Sequence, residues 1–164
     1  MNISVFQRGE VVPIWAKDNK WDGAPLDPSQ GIKVTLIDPN EKSAGEISVV
    51  SSTGFTVGLT VTGGTSSATG VIMEKPNATT LRLKQVTGVW QSGETITDTG
   101  SGTSTTTSVL GGLSMTKDAV GKYVYCYHSA DADPVGWWYY SCKATDGAGE
   151  EVKSVKTPGG FELQ

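Results

Sequence analysis

The sequence predicts an all-β protein, and three observations carry that expectation. Gly accounts for 21 of 164 residues and only 18% of residues are charged, with Ser and Thr filling much of the rest, a composition suited to short strands joined by tight turns. Several segments alternate apolar and polar residues with the period of two that a half-buried strand requires. Clusters such as "WDGAPLDPSQG" and "ADADPVG" punctuate those segments with turn formers.

Taken in order, "ISVFQRGEVVPIWAKD" alternates over Val12, Ile14 and Ala16. Pro13 falls where an edge strand or a bulge tolerates a missing donor. "IKVTLIDPN" then sets Ile32, Val34 and Leu36 against Lys33 and Thr35. After Ala44 the composition shifts: more than half of residues 51–110 are Ser, Thr or Gly, and only Phe55 and Trp90 are aromatic. Composition alone would read as a disordered stalk, but the pattern argues otherwise.

"VGLTVTGGTSSATGVIM" is echoed about 35 residues later by "SGETITDTGSGTSTTTSVL", so that Gly58, Thr60, Val61 and Thr62 match Gly93, Thr95, Ile96 and Thr97. A linker has no reason to repeat an aliphatic position between threonines. A β-hairpin does, because β-branched residues suit the pleat and glycine supplies positive φ. "TTLRLKQVTGVW" adds a strand, and Leu81, Leu83, Val86, Phe55 and Trp90 are the expected core of a small subdomain with two pseudo-repeats.

Aromatic character returns after Leu113. "GKYVYCYHS" places Tyr123, Tyr125 and Tyr127 on one face, with Val124, Cys126 and His128 on the other. "GWWYYSCKATD" sets Trp138, Tyr140, Cys142 and Ala144 against Trp137, Tyr139, Ser141 and Lys143. "EEVKSVKTPGGFEL" supplies a last strand or two. Neither flank alone has enough strands to close a core, so the simplest architecture is one discontinuous Greek-key sandwich of residues 1–44 and 113–164. Residues 45–112 are then inserted at a loop tip, where few buried hydrogen bonds are disturbed.

Charge and motifs narrow the function. A net charge of -4 without a Lys/Arg stripe offers no handle on a phosphate backbone, so nucleic acid is not an expected partner. No apolar run approaches the ~18 residues of a membrane span, and "MNISVFQRGEVV" has no basic and apolar leader pattern; a cytosolic origin is expected, and the "NAT" at Asn77 is set aside as a glycosylation acceptor. Cys126 and Cys142 lack CxxC spacing and read as free, buried thiols.

The flanks, through "VFQRGEVVPIWA", "IKVTLIDPN", "MTKDAVGKYVYCYHS", "GWWYYSCKATDG" and "FEL", resemble the immunoglobulin-like modules of tailed-bacteriophage virion proteins. The inserted "GLTVTGGTSSATGVI" and "GVWQSGETITDTGSG" are similar to a short β repeat of phage structural proteins. The resemblance implies an Ig-like sandwich in a non-enzymatic virion structural protein, a capsid decoration or head-tail region component assembled in the bacterial host cytoplasm. Its implied partners are other virion proteins, such as major capsid, neck or tail subunits, in a homo-oligomer or lattice. The sequence lacks a Trp set against a disulfide-forming Cys pair, so only the general sandwich carries over, without any functional residue.

Candidate chemistry is sparse. His128 is the single histidine; a triad with Ser141 and Asp131 would need it as base, and no nucleophile elbow accompanies it. Asp131, Asp133, Asp146 and Glu150 lack calcium-loop spacing and read first as turn formers. "TGGTSSATG" has the glycines of a phosphate cradle but neither the GK[ST] ending nor a following helix. No catalytic residue, metal or cofactor is therefore expected. The informative feature is aromatic: rows of Trp and Tyr are typical of interfaces, and the candidate interface comprises Trp137, Tyr139, Tyr123, Tyr125 and Tyr127. Protein contact is the leading reading, and a carbohydrate-binding adhesion module of a phage tail or fibre is the alternative.

Overall fold

A computed structural model describes residues 4–17, 28, 31–145, 151–152 and 159–164. The described residues are all-β, with no helix. In chain order the strands are β1 (Ser4–Phe6), β2 (Val11–Lys17), β3 (Ile32–Ile37), β4 (Ser43–Ser48), β5 (Thr60–Gly63), β6 (Thr69–Asn77), β7 (Thr80–Thr87) and β8 (Thr95–Asp98). They continue with β9 (Thr103–Thr105), β10 (Leu113–Ser114), β11 (Thr116–Ala119), β12 (Lys122–His128), β13 (Gly136–Thr145), β14 (Glu151–Val152) and β15 (Gly159–Leu163). The chain separates into two compact units, residues 1–40 with 113–164, and residues 41–112. The first boundary lies before Ala44 because β4, which contains that residue, pairs with β7 and belongs to the inserted unit.

In the outer unit two sheets face each other. One runs β1-β15-β13-β3, with β10 against β3 and β14 against β13; the other runs β11-β12-β2. Alternation decides which residues meet between them. Val12, Ile14, Ala16, Tyr123, Tyr125 and Tyr127 come from the smaller sheet, and Ile32, Val34, Leu36, Trp138, Ala144, Phe161 and Leu163 from the larger, all buried. Tyr127 joins the two layers, its ring 5.2 Å from Trp138 and 6.4 Å from Phe161. The Tyr127 hydroxyl donates to Asp133 Oδ2 at 2.7 Å, so its polar tip is satisfied inside the core. Burial first, then the bond and charge of Asp133, push that phenol far above its ordinary range, and it stays a neutral donor. Pro13 lies on β2, at an edge of the smaller sheet opposite Cys126, a position where no ladder donor is required.

In the inserted unit the ladder runs β4-β7-β6-β5-β8-β9. It then closes on itself: Val50 N donates to Thr105 O, Thr107 N to Ser48 O, and Glu46 and Gly111 exchange both backbone bonds. Closure removes the free edges that a short, Thr-rich sheet would otherwise present. Ile47, Val49, Val61, Ala68, Ile72 and Ile96 line one core with Leu81, Leu83, Val86, Phe55 and Trp90. Trp90 Nε1 has no hydrogen-bond partner among the described residues, so the ring serves there by packing.

The repeat legible in the sequence is structural. In the first hairpin Thr60, Val61 and Thr62 pair with Val71, Gly70 and Thr69; in the second Thr95, Ile96 and Thr97 pair with Thr105, Ser104 and Thr103. Gly58 and Gly93, the matched entry glycines, have φ of +90° and +84°. The two hairpins also pair with each other antiparallel, with Thr62 opposite Thr97, so a pseudo-two-fold axis passes beside that pair. The hairpin turns differ from expectation: in the first, Ser67 and not a glycine takes the left-handed conformation, at φ +56°, and in the second neither Gly100 nor Gly102 has a positive φ.

Candidate functional site

Strand β13 builds the surface the sequence singles out. Trp138 enters the core while its neighbours Trp137 and Tyr139 point out of the opposite face, Trp137 half-buried and Tyr139 54% exposed. Their rings stand 6.1 Å apart at 71°, an edge-to-face pair. A glycine on β15 makes room for Trp137. Gly160 pairs with Tyr139, and a Cβ built there would come within 2.6 Å of the Trp137 ring, so the ring sits where a larger residue at 160 would collide with it. Ile37 of β3, also opposite Tyr139, and Glu162 of β15, opposite Trp137, complete a small aromatic surface with one carboxylate beside it.

Tyr123, Tyr125 and Tyr127 do not belong to it. They are 4%, 6% and 0% exposed, because the face of β12 that carries them is the face turned toward the larger sheet. Periodicity separates the two faces of a strand without telling which is inward, and the opposite face of β12 carries Val124, Cys126 and His128. Conversely, Trp15 is 52% exposed on β2, with Val11 beside it in the outward set. The alternation of β2 sets Trp15 on the face opposite Val12, Ile14 and Ala16, which are buried.

The polar candidates separate. His128 is exposed on β12 and Ser141 exposed on β13, in different sheets. Asp131 is exposed and accepts from Arg8 Nη1 through its backbone carbonyl at 2.6 Å. Asp133 is buried, and its Oδ2 takes the Tyr127 hydroxyl and the Ala130 amide. Asp146 and Glu150 lie outside the described residues. Among the described residues no group of three or more His, Cys, Asp or Glu side chains is arranged to hold a metal. The amides of "TGGTSSATG" already hold an internal anion: Glu94 accepts from Ser66 N at 3.0 Å, Thr65 N at 3.3 Å, Ser66 Oγ at 2.8 Å and Gln91 N at 2.8 Å.

Both cysteines are free, but only Cys142 is buried; Cys126 is exposed because it shares the outward face of β12. Burial pushes the Cys142 thiol up to about 11. A thiol reagent at neutral pH is expected to label one equivalent rapidly at Cys126, and Cys142 only as the outer unit unfolds. Rapid labelling of both would contradict the core assignment of Cys142.

Glu94 and Asp98 give the inserted unit an acid limit. Burial raises both carboxyls, but the amides of Gln91, Ser66 and Thr65, with the Ser66 hydroxyl, outweigh it at Glu94 and hold it below its ordinary 4.5. The amides of Gly102, Thr56 and Gly100, with the charge of Lys75, hold Asp98 below its ordinary 3.8. Folded values below unfolded ones mean that the stabilisation is full above the ordinary carboxylate range and is lost as pH falls through it to the depressed values. Thermal melts between pH 7 and pH 2 are expected to show a falling midpoint for this unit only at the acid end; a fall that begins above pH 6 would point to other groups.

Compared with known protein families, with curated proteins and with solved structures, the chain matches none.

Proposed function

We propose that this chain is a non-enzymatic structural protein of a tailed-phage virion, a capsid decoration or head-tail region component that docks through the outward face of β13. The observation that carries the reading is the Trp137–Tyr139 pair, two large rings held outward on a strand whose other face is core. Such rings contribute large contact area at low entropic cost, and two rotatable bonds each make them good anchors. In a repeating lattice, many modest contacts of this kind add up. The likeness of the flanking strands to Ig-like virion modules supports the same reading.

The angle between the two rings favours a second reading, a sugar platform in which Tyr139 stacks on a glycan while Trp137 flanks it. One experiment separates them. Particles are purified from cells that supply either the native chain or the Trp137→Ala/Tyr139→Ala variant. The native chain is expected in the particles and the variant only in the soluble fraction. A variant that enters particles normally but lowers their attachment to cells would favour the glycan reading, and a native chain that never accompanies particles would overturn both.

A further inference from the structure

The two hairpins of residues 41–112 are joined in a way that has consequences for a second copy of the chain. Divided at the β6–β7 turn, the unit consists of a first half with β4, β5 and β6 and a second half with β7, β8 and β9. Only the β5–β6 and β8–β9 seams lie within a half. The β4–β7, β6–β7 and β5–β8 ladders all cross from one half to the other, as do the bonds from Val50 N to Thr105 O and from Thr107 N to Ser48 O. Glu94 of the second half also holds the turn amides of the first. Each half therefore leaves its ladders and its apolar face open, and only a complementary half closes them. The hairpins match residue by residue about a pseudo-two-fold axis, so the closed unit has the organisation of a dimer folded within one chain.

We propose that these halves are interchangeable between chains, and that two copies of this protein link by exchanging residues 80–112. Every inter-half hydrogen bond is then made again, with the partner's residue in place of the chain's own, and the chain changes course at two connections, Ala78–Thr79 between β6 and β7 and Gly112–Leu113 where it returns to the outer unit. Within one chain the second half is present at a high effective concentration, which favours the closed monomer in dilute solution. High local protein concentration during folding, or a connection too short to turn back, shifts the balance to the exchanged dimer.

Two full-length chains test this, one carrying Thr62→Cys and the other Thr97→Cys, each with Cys126→Ser. Residues 62 and 97 are directly opposite in the β5–β8 ladder, within disulfide reach. A single chain with both cysteines is expected to close an internal bond, confirming that reach. When the two single variants are unfolded, refolded together at high concentration and oxidised, the expected product is the mixed disulfide dimer in clear excess over either homodimer, since exchange brings residue 62 only against residue 97. Monomers alone, or mixed and homodimers in statistical proportion, would overturn the proposal. Deleting Ala78 and Thr79 is the second arm: the variant is expected to sediment as a dimer, and a folded monomer would overturn the proposal.

Discussion

Trp138→Ala is expected to destabilise the outer unit by about 3–5 kcal/mol, the range for removing a large aromatic from a core, whereas Tyr139→Ala one residue away is expected to cost under about 1 kcal/mol. The contrast comes from the pleat alone. Trp138 is 1% exposed, stacks on Phe161 at 5.8 Å and 14°, touches Tyr127 across the sheets, and donates from its indole to Pro134 O at 3.1 Å. Tyr139 is more than half exposed and its ring contact is with Trp137. Removing Trp138 leaves both a cavity and an acceptor without its donor, so the two costs add. Chemical denaturation of the two variants, followed by a probe in the outer unit, measures the difference. Equal losses would mean that β13 is turned over relative to the described register.

Glu94→Ala is expected to lower the stability of the inserted unit by about 3 kcal/mol or more, the largest effect of any polar substitution there. The carboxylate is 4% exposed and gathers three backbone amides and a hydroxyl from both halves of the repeat. Its loss leaves buried donors unmade, at about 1–3 kcal/mol each for those that water cannot reach. Glu94→Gln keeps the volume and one carbonyl acceptor but places an amino group against the same donors, and is expected to recover only part of the loss. The midpoint in urea, with the slope unchanged, reads both. A Glu94→Ala variant as stable as the native chain would show that the Thr65–Ser66 turn forms without its internal anion. The same substitution should also flatten the acid limb of the stability profile, because one of its two depressed carboxyls is gone.

Glu94 also marks how far sequence reasoning reaches. The repeat from Gly58 to Gly93 is visible in the residues, as are the strand character of Thr-aliphatic-Thr and the burial of Phe55 and Trp90. Glu94 stands in that repeat opposite Leu59 and gives no local hint of its role in the first hairpin, since Ser66 and Thr65, whose amides it holds there, lie 28 and 29 residues away. Likewise the glycines of "TGGTSSATG" suggest an anion cradle, but the anion proves to be a side chain of the same protein. Contacts of this range depend on how hairpins meet, and alternation carries no information about that.

The aromatic strands divide along the same line. The sequence by itself determines that Tyr123, Tyr125 and Tyr127 share one side of a strand, that Trp137 and Tyr139 share one side of another, and that Trp138 opposes them, because side chains alternate with a period of two. Tertiary structure alone decides that the tyrosines and Trp138 look inward while Trp137, Tyr139 and Trp15 look outward. The physical reason is that a strand has two faces of comparable apolar content here, and the one that is buried is whichever a second sheet covers. Pairing β12 with β2 and β13 with β3 and β15 sets those two sheets face to face, and that packing converts a list of seven aromatic residues into four that hold the core and three that remain available at the surface.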